Sequence, residues 1–141
     1  MGTRTHVYFG VFDFGGDPGK VSTLMDMEPT VAWVKGEHHI PAFPNARRTH
    51  SRWALSSGVD EKEPVEAHLA ALLERLQTRR AQITEVARLF PTQIVVAQYF
   101  YEVNPQFCMG ADLLQRFADL GLPIYFDQYC LGQEEESPSA V

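Results

Sequence analysis

Apolar and polar residues follow two periods along the chain, and these periods predict eight elements. Five segments have apolar residues at alternate positions or in short apolar runs, as expected of β-strands. They are residues 6–14, 30–35, 49–56, 93–101 and 124–131. Three segments repeat apolar residues every three or four positions, as expected of amphipathic helices. They are residues 18–28, 65–90 and 110–120. The predicted order is therefore β-α-β-β-α-β-α-β.

This order predicts an α+β fold, a two-layer sandwich with a mainly antiparallel sheet and helices on one face. The first six elements match the order of a ferredoxin-like core, to which the last helix and strand would be added. Residues 65–90 form one helix or two, because their apolar stripe thins at residues 77–82. The strands at 6–14 and 93–101 are apolar on both faces, which favours central strands covered on both sides.

The length and the last residues predict the domain organisation. A chain of 141 residues suits one domain, expected over residues 1–132. Residues 133–141 contain three glutamates, serine and proline without apolar periodicity, which predicts an acidic disordered tail. No apolar run is long enough for a membrane span, which takes about 18 residues. Two cysteines make no disulfide framework, so we expect a soluble cytoplasmic protein. Apolar neighbours favour burial of both Cys108 and Cys130.

The net charge of −6 is unevenly distributed. Residues 91–141 hold one basic group and seven acidic groups, whereas the two kinds balance over residues 1–90. Nucleic-acid binding requires a basic face, and the pI of about 5.3 argues against one. We therefore expect neither nucleic acid nor membrane as a partner.

No motif in the chain predicts catalysis, a metal or a cofactor. Glu37, His38 and His39 could meet His50 across a hairpin, but their spacing matches no known ligand set and favours a polar loop. Residues 15–20 are rich in glycine, yet the full phosphate-loop spacing is absent. Asp17 followed by Pro18 predicts a helix cap there instead. We expect no catalytic residues, and the chain favours a protein without enzymatic activity.

One cluster of basic and aromatic residues suggests recognition of a partner. Arginine and tryptophan are favoured at interfaces and in binding anions. The partner-binding candidates around the hairpin of the second and third strands are Lys35, Arg47, Arg48, Arg52, Trp33 and Trp53. The alternation along both strands also fits tryptophans that are mainly structural, with arginines facing outward.

Two other interpretations stay open. The chain could be an enzyme or a small-molecule binder with a pocket between sheet and helices, whose polar groups would be His50, Asp127 and Tyr129. It could also be a subunit that forms a homodimer through a sheet edge.

The sequence resembles a bacterial family, the domain of unknown function 4279. The resemblance covers roughly residues 6–132, and its most specific part is the pair of motifs Trp33-x-Lys35-Gly36 and Trp53-x-Leu55. It implies a small bacterial α+β protein without an established activity, and it supplies no catalytic residues. Such a small domain without a catalytic site is similar to immunity proteins of bacterial toxin systems. We therefore expect a non-enzymatic, cytoplasmic protein-binding module that neutralises a toxin or binds another protein.

Overall fold

The computed structural model describes residues 2–39, 43 and 45–132. The strands are β1 (Arg4–Phe12), β2 (Val31–Trp33), β3 (Arg52–Ser56), β4 (Thr92–Phe100) and β5 (Ile124–Cys130). The helices are α1 (Pro18–Met25), α2 (Val65–Leu76), α3 (Arg80–Leu89) and α4 (Ala111–Asp119). The observed order is β-α-β-β-α-α-β-α-β, with two helices in the segment 65–90. The predicted tail at 133–141 lies outside the described residues.

The strands form one mixed sheet in the order β2-β3-β1-β4-β5. The pairs β2–β3, β1–β3 and β1–β4 are antiparallel, and β4–β5 is parallel. The parallel pair follows from α4, since a helix that connects two strands returns the chain in the same direction. The predicted α+β class is therefore confirmed, and the sheet is mixed, with three antiparallel pairs and one parallel pair.

The core lies on one face of the sheet. Val7, Phe9 and Val11 alternate along β1 and are almost fully buried, as are Trp53 and Leu55 on β3. The helices pack their apolar stripes against this face, and the resulting core cluster includes residues of α1, α2, α3 and α4. The β1 residues that alternate with Val7, Phe9 and Val11 lie on the opposite face of the sheet.

The expectation that β1 and β4 are covered on both sides is wrong for β1, whereas on β4 Val95 and Ala97 of the second face are buried. Both strands are central, but among the described residues the helices contact only the face that carries Val7 and Phe9. Tyr8 and Phe12 point the other way and are half-buried. The second face of β1 is apolar because aromatic side chains lie on it, so an apolar pattern did not require a second layer.

The segment 65–90 consists of two helices joined by a short 3₁₀ turn at Gln77–Arg79. Here the apolar stripe thins, and none of the three residues is buried. The predicted cap of α1 is confirmed, because the Asp17 side chain accepts a hydrogen bond from the Gly19 N–H at 2.9 Å and Pro18 is the first helical residue. No helix within residues 2–39 and 45–132 is long and apolar enough to cross a membrane.

The two cysteines are exposed, which corrects the expectation that both are buried. Cys130 ends β5, the outermost strand of the sheet, and six of the seven residues of β5 are exposed. A strand at the edge of a sheet has a neighbour on one side only. An apolar sequence is therefore less covered there than in the middle of the sheet.

Candidate functional site

Arginine, aromatic and acidic side chains lie together on the face of the sheet that the helices leave uncovered. We call it the open face, and it collects every second residue of neighbouring strands. The register aligns Tyr8 with Ser56 and Val95, and Trp33 with Arg52. Its side chains include Arg4, His6, Tyr8, Phe12, Trp33, Arg52, Tyr99, Tyr125, Asp127 and Tyr129.

At the β2–β3 side of the open face, two arginines stack on one tryptophan. The guanidinium carbons of Arg48 and Arg52 lie 3.8 and 4.7 Å from the centroid of the Trp33 ring. We call these three residues the Arg–Trp cluster. Arg52 also lies 5.1 Å from the ring centroid of Tyr8 and 5.5 Å from that of Phe12. Stacking on a ring leaves the in-plane N–H groups of a guanidinium available to an anion.

Backbone contacts of the hairpin hold the cluster in place. The indole N–H of Trp33 donates to the carbonyl of His50 at 3.1 Å, and the His50 ring lies 6.0 Å from that of Phe12. Arg47 donates from its Nη1 to the Gly36 carbonyl at 2.8 Å. Gly36 has a φ of 91°, which a residue with a side chain rarely adopts, so glycine suits this turn.

The cluster carries positive charge that no carboxylate neutralises within the described part of the chain. None of Arg47, Arg48 and Arg52 forms an ion pair there, and the Nε of Arg52 is buried without a hydrogen-bond partner. A shallow depression of about 200 Å³ lies beside these groups. It is lined by Trp33, His39, Arg47, Arg48, Thr49, His50 and Arg52. The site thus offers N–H donors and positive charge, both of which suit a carboxylate or phosphate group.

The opposite side of the open face carries tyrosines. The rings of Tyr99 and Tyr129 are stacked with centroids 5.0 Å apart, and the Arg4 guanidinium lies 5.4 Å from the Tyr99 ring. The Tyr129 hydroxyl donates to Asp127 Oδ2 at 2.6 Å. This hydrogen bond raises the pKa of Tyr129 to about 12. Burial raises the pKa of Tyr8 as well.

A buried serine–histidine pair lies under the opposite face. Ser57 Oγ and His68 Nδ1 are 2.6 Å apart, and His68 is 1% exposed. Burial lowers the pKa of His68 below its ordinary value of 6.5. Ser57 is also nearly buried and its N–H donates to the Val7 carbonyl. A nucleophile and base must reach a substrate, so the burial of this pair favours a structural role.

The structure brings four of the predicted contact residues together. Arg47, Arg48, Arg52 and Trp33 line one depression, and Lys35 lies exposed on the same hairpin. Trp53 is the exception, because it is fully buried in the core and donates from Nε1 to Ser22 Oγ at 3.0 Å. Trp53 is therefore removed from the contact candidates.

The polar groups of the alternative pocket are not brought together. His50 lies beside the Arg–Trp cluster, whereas Asp127 and Tyr129 lie on β5, three strands away from β3. Asp127 and Tyr129 also belong to the open face instead of the space between sheet and helices. Tyr8, Phe12 and Tyr99 were not among the predicted site residues. The alternation along β1 had placed Tyr8 and Phe12 on a second apolar face, but it did not indicate that this face belongs to the site.

Within the described residues, no three histidine, cysteine or acidic side chains lie close enough together to hold a metal ion.

Residues 3–131 match the model of a family described as a domain of unknown function (DUF4279). The chain belongs to the DUF4279 family. No curated protein and no solved structure matched the chain. Membership of DUF4279 assigns no activity, so the residues of this DUF4279 chain must carry the functional argument themselves.

Proposed function

We propose that the chain is a non-enzymatic protein-binding module that recognises an acidic segment of its partner through the Arg–Trp cluster. The observation that carries the proposal is the pair of guanidinium groups stacked on Trp33 without an ion-pair partner among the described residues. A carboxylate of the partner would accept hydrogen bonds from these groups, and an arginine–carboxylate pair can be bidentate.

Half-buried aromatic rings around the arginines support an interface. Tyr8, Phe12 and Trp33 are half-buried and surround Arg52. Tryptophan, tyrosine and arginine dominate the residues that carry binding energy in interfaces. The rings would exclude water from the ion pairs, which strengthens them relative to exposed pairs on a protein surface.

The distribution of charge favours an acidic protein over a nucleic acid. The chain as a whole carries −6, so a long polyanion would be repelled beyond the cluster. An acidic segment of a protein needs only the local positive charge of Lys35, Arg47, Arg48 and Arg52. Complementary charge of this kind mainly raises the rate of association.

We also propose that the chain is a bacterial, cytoplasmic immunity protein with a ferredoxin-like core. An immunity protein needs a contact surface for its toxin and no catalytic groups, and the open face suits that role. The first six elements would form a ferredoxin-like core. The position of β3 between β1 and β2 supports this description, since it is the arrangement of a split βαβ unit.

Affinity capture followed by reconstitution tests the proposal. The full chain and a variant with Arg47, Arg48 and Arg52 replaced by serine would be used to capture partners from the source cells. A control variant with serine at Lys62, Arg88 and Arg116 removes the same charge elsewhere. Each captured partner would be purified and its binding kinetics measured against all three proteins over a range of salt concentrations.

We expect the arginine variant to associate more slowly and to lose most of the salt dependence, while the control variant binds as the unmodified chain does. Equal binding by the arginine variant would place the contact surface elsewhere. Capture that nuclease treatment abolishes would identify a nucleic-acid partner and refute the proposal. If no protein is captured but inorganic phosphate binds the unmodified chain, a small anionic ligand in the depression would be favoured instead.

A further inference from the structure

The outer edge of β5 concentrates exposed apolar surface. Nine large apolar side chains are exposed among the described residues, and four of them lie in β5 or directly after it. These four are Tyr125, Phe126, Tyr129 and Leu131. Tyr129 stacks on Tyr99 of the open face, whereas Phe126 stacks on Phe107 beside the core. Apolar groups therefore flank this edge on both faces of the sheet.

Alternate peptide groups of β5 point away from β4. Pro123 accepts a hydrogen bond from Ile94, and Leu131 donates to Phe100, so the odd-numbered positions face β4. In a parallel ladder, the residues between them direct both N–H and C=O away from the neighbouring strand. These residues are Ile124, Phe126, Gln128 and Cys130. Within residues 2–39 and 45–132, no backbone group pairs with this outer side.

The edge also lacks the features that prevent strands from pairing with other chains. Proteins protect exposed edges with lysine, proline, bulges or very short strands. β5 has seven residues, pairs in regular register with β4, and contains one charged residue, Asp127. An edge of this length and composition is suited to pair with a further strand.

We propose that β5 pairs antiparallel with β5 of a second copy of this chain, so that two sheets join across a two-fold axis. This proposal does not rest on the Arg–Trp cluster. Self-pairing brings the same edge and the same apolar groups to both sides, as an isologous interface requires. β5 contains a single charged residue, Asp127, so the paired strands meet little charge repulsion when the register keeps the two copies of Asp127 apart.

The charge of Asp127 distinguishes the registers in which two copies of β5 could pair. A two-fold axis at Asp127 would place two carboxylates opposite each other, which is destabilising. An axis at Gln128 places Asp127 opposite the partner's Tyr129, and a tyrosine hydroxyl already donates to Asp127 within the chain. Gln128 directs its peptide groups outward, so this axis also gives a hydrogen-bonded pair at its centre. The geometry therefore favours the axis at Gln128.

Two variants at one position test the pairing. Gln128→Pro removes an outward N–H and blocks the new ladder, while the hydrogen bonds to β4 stay intact. Gln128→Ala keeps that N–H and controls for the loss of the side-chain hydrogen bond to Gln98. Sedimentation velocity over a wide concentration range should give twice the monomer mass of 15.9 kDa for the unmodified chain and for Gln128→Ala. Gln128→Pro should stay monomeric.

Amide hydrogen exchange of the unmodified chain keeps the test decisive if Gln128→Pro does not fold. The amides of Phe126 and Gln128 should be protected at high concentration and exchange faster on dilution, whereas those of Tyr125 and Asp127 should stay protected throughout. A monomer at every concentration overturns the proposal, and so does a dimer whose outward amides exchange freely. A monomer that dimerises only after truncation beyond Gly132 also overturns it, since the tail would then occupy the edge.

Discussion

Replacing Trp53 by alanine should cost more stability than any other single change in the hairpin. Trp53 is 0% exposed, its ring meets Phe9 edge to face at 6.1 Å, and its N–H donates to Ser22. Loss of a large buried aromatic side chain costs about 3–5 kcal/mol. The total free energy of unfolding of a domain is about 5–15 kcal/mol, so this single change removes a large share of it.

Trp33→Ala provides the matched comparison, because Trp33 lies on the adjacent strand but on the open face. Trp33 is half-buried, and its removal forfeits two cation–π contacts worth about 0.5–1 kcal/mol each at exposed sites and one hydrogen bond. Together, the two contacts and the hydrogen bond give an expected loss of about 1.5–3.5 kcal/mol. Trp53→Phe, which keeps most of the ring but loses the bond to Ser22, should fall between the two.

Urea unfolding followed by far-ultraviolet circular dichroism measures all three variants with one signal, independent of tryptophan fluorescence. Trp53→Ala should also lower the melting temperature by about 10–20 °C for a chain of this length. A loss below about 1 kcal/mol for Trp53→Ala, or equal losses for both alanine variants, would show that the assignment of the two faces is wrong.

Three further changes have distinct expected results. Burial lowers the pKa of His68, so as the pH falls the histidine is protonated in the unfolded chain before it is protonated in the folded chain. The free energy of unfolding should therefore decrease as the pH drops below 6.5. His68→Phe should flatten the dependence of stability on pH in that range, and an unchanged dependence would contradict the reasoning. A side chain at Gly10 would approach the Phe12 ring to 2.8 Å, so Gly10→Val should displace that ring and weaken partner binding while circular dichroism stays native. Arg48 and Arg52 each stack on Trp33, and Arg47 donates to the Gly36 carbonyl, so serine at all three should cost about 0.5–1 kcal/mol per site. A total loss larger than that of Trp53→Ala in a thermal melt would instead reveal a structural network.

Much of the fold could be predicted because the hydrophobic periods are strong. Alternation placed Trp53 and Leu55 on the core face and Arg52 and Ala54 on the other, and the structure confirms both assignments. Asp17 and Pro18 predicted the start of α1 for a local reason, since capping involves only neighbouring residues. Strand bounds were less accurate, and β2 is shorter than predicted because β3, its partner, pairs with only three of its residues.

The candidate site could be predicted only in part. Arg47, Arg48 and Arg52 are close in the sequence, which was enough to predict that they lie together, but the rings that complete their surroundings belong to β1. Tyr8 and Phe12 reach Arg52 because β1 and β3 are neighbours in the sheet. Strand order is a long-range property, so the pattern within each strand could not place these rings beside the arginines.

Exposure of β5 was missed for a related reason. The sequence of β5 is as apolar as that of a covered strand, and periodicity alone does not distinguish an edge from a centre. Burial of Cys130 was inferred from the same pattern and is wrong, since Cys130 is exposed. The information that decides the question is which strand lies outermost, and this depends on the connection through α4.

The two proposed contact surfaces lie at opposite edges of one sheet. β2 and β5 are separated by three strands, which corresponds to roughly 19 Å between the outer strands. Effects of changes at such separated sites are expected to add, so Gln128→Pro should leave the Arg–Trp cluster intact. Basic groups collect near β2 and acidic groups follow residue 91, and this asymmetry directs an acidic partner away from β5. A partner protein and a second copy of the chain would therefore approach different edges, and binding of one would leave the other surface accessible.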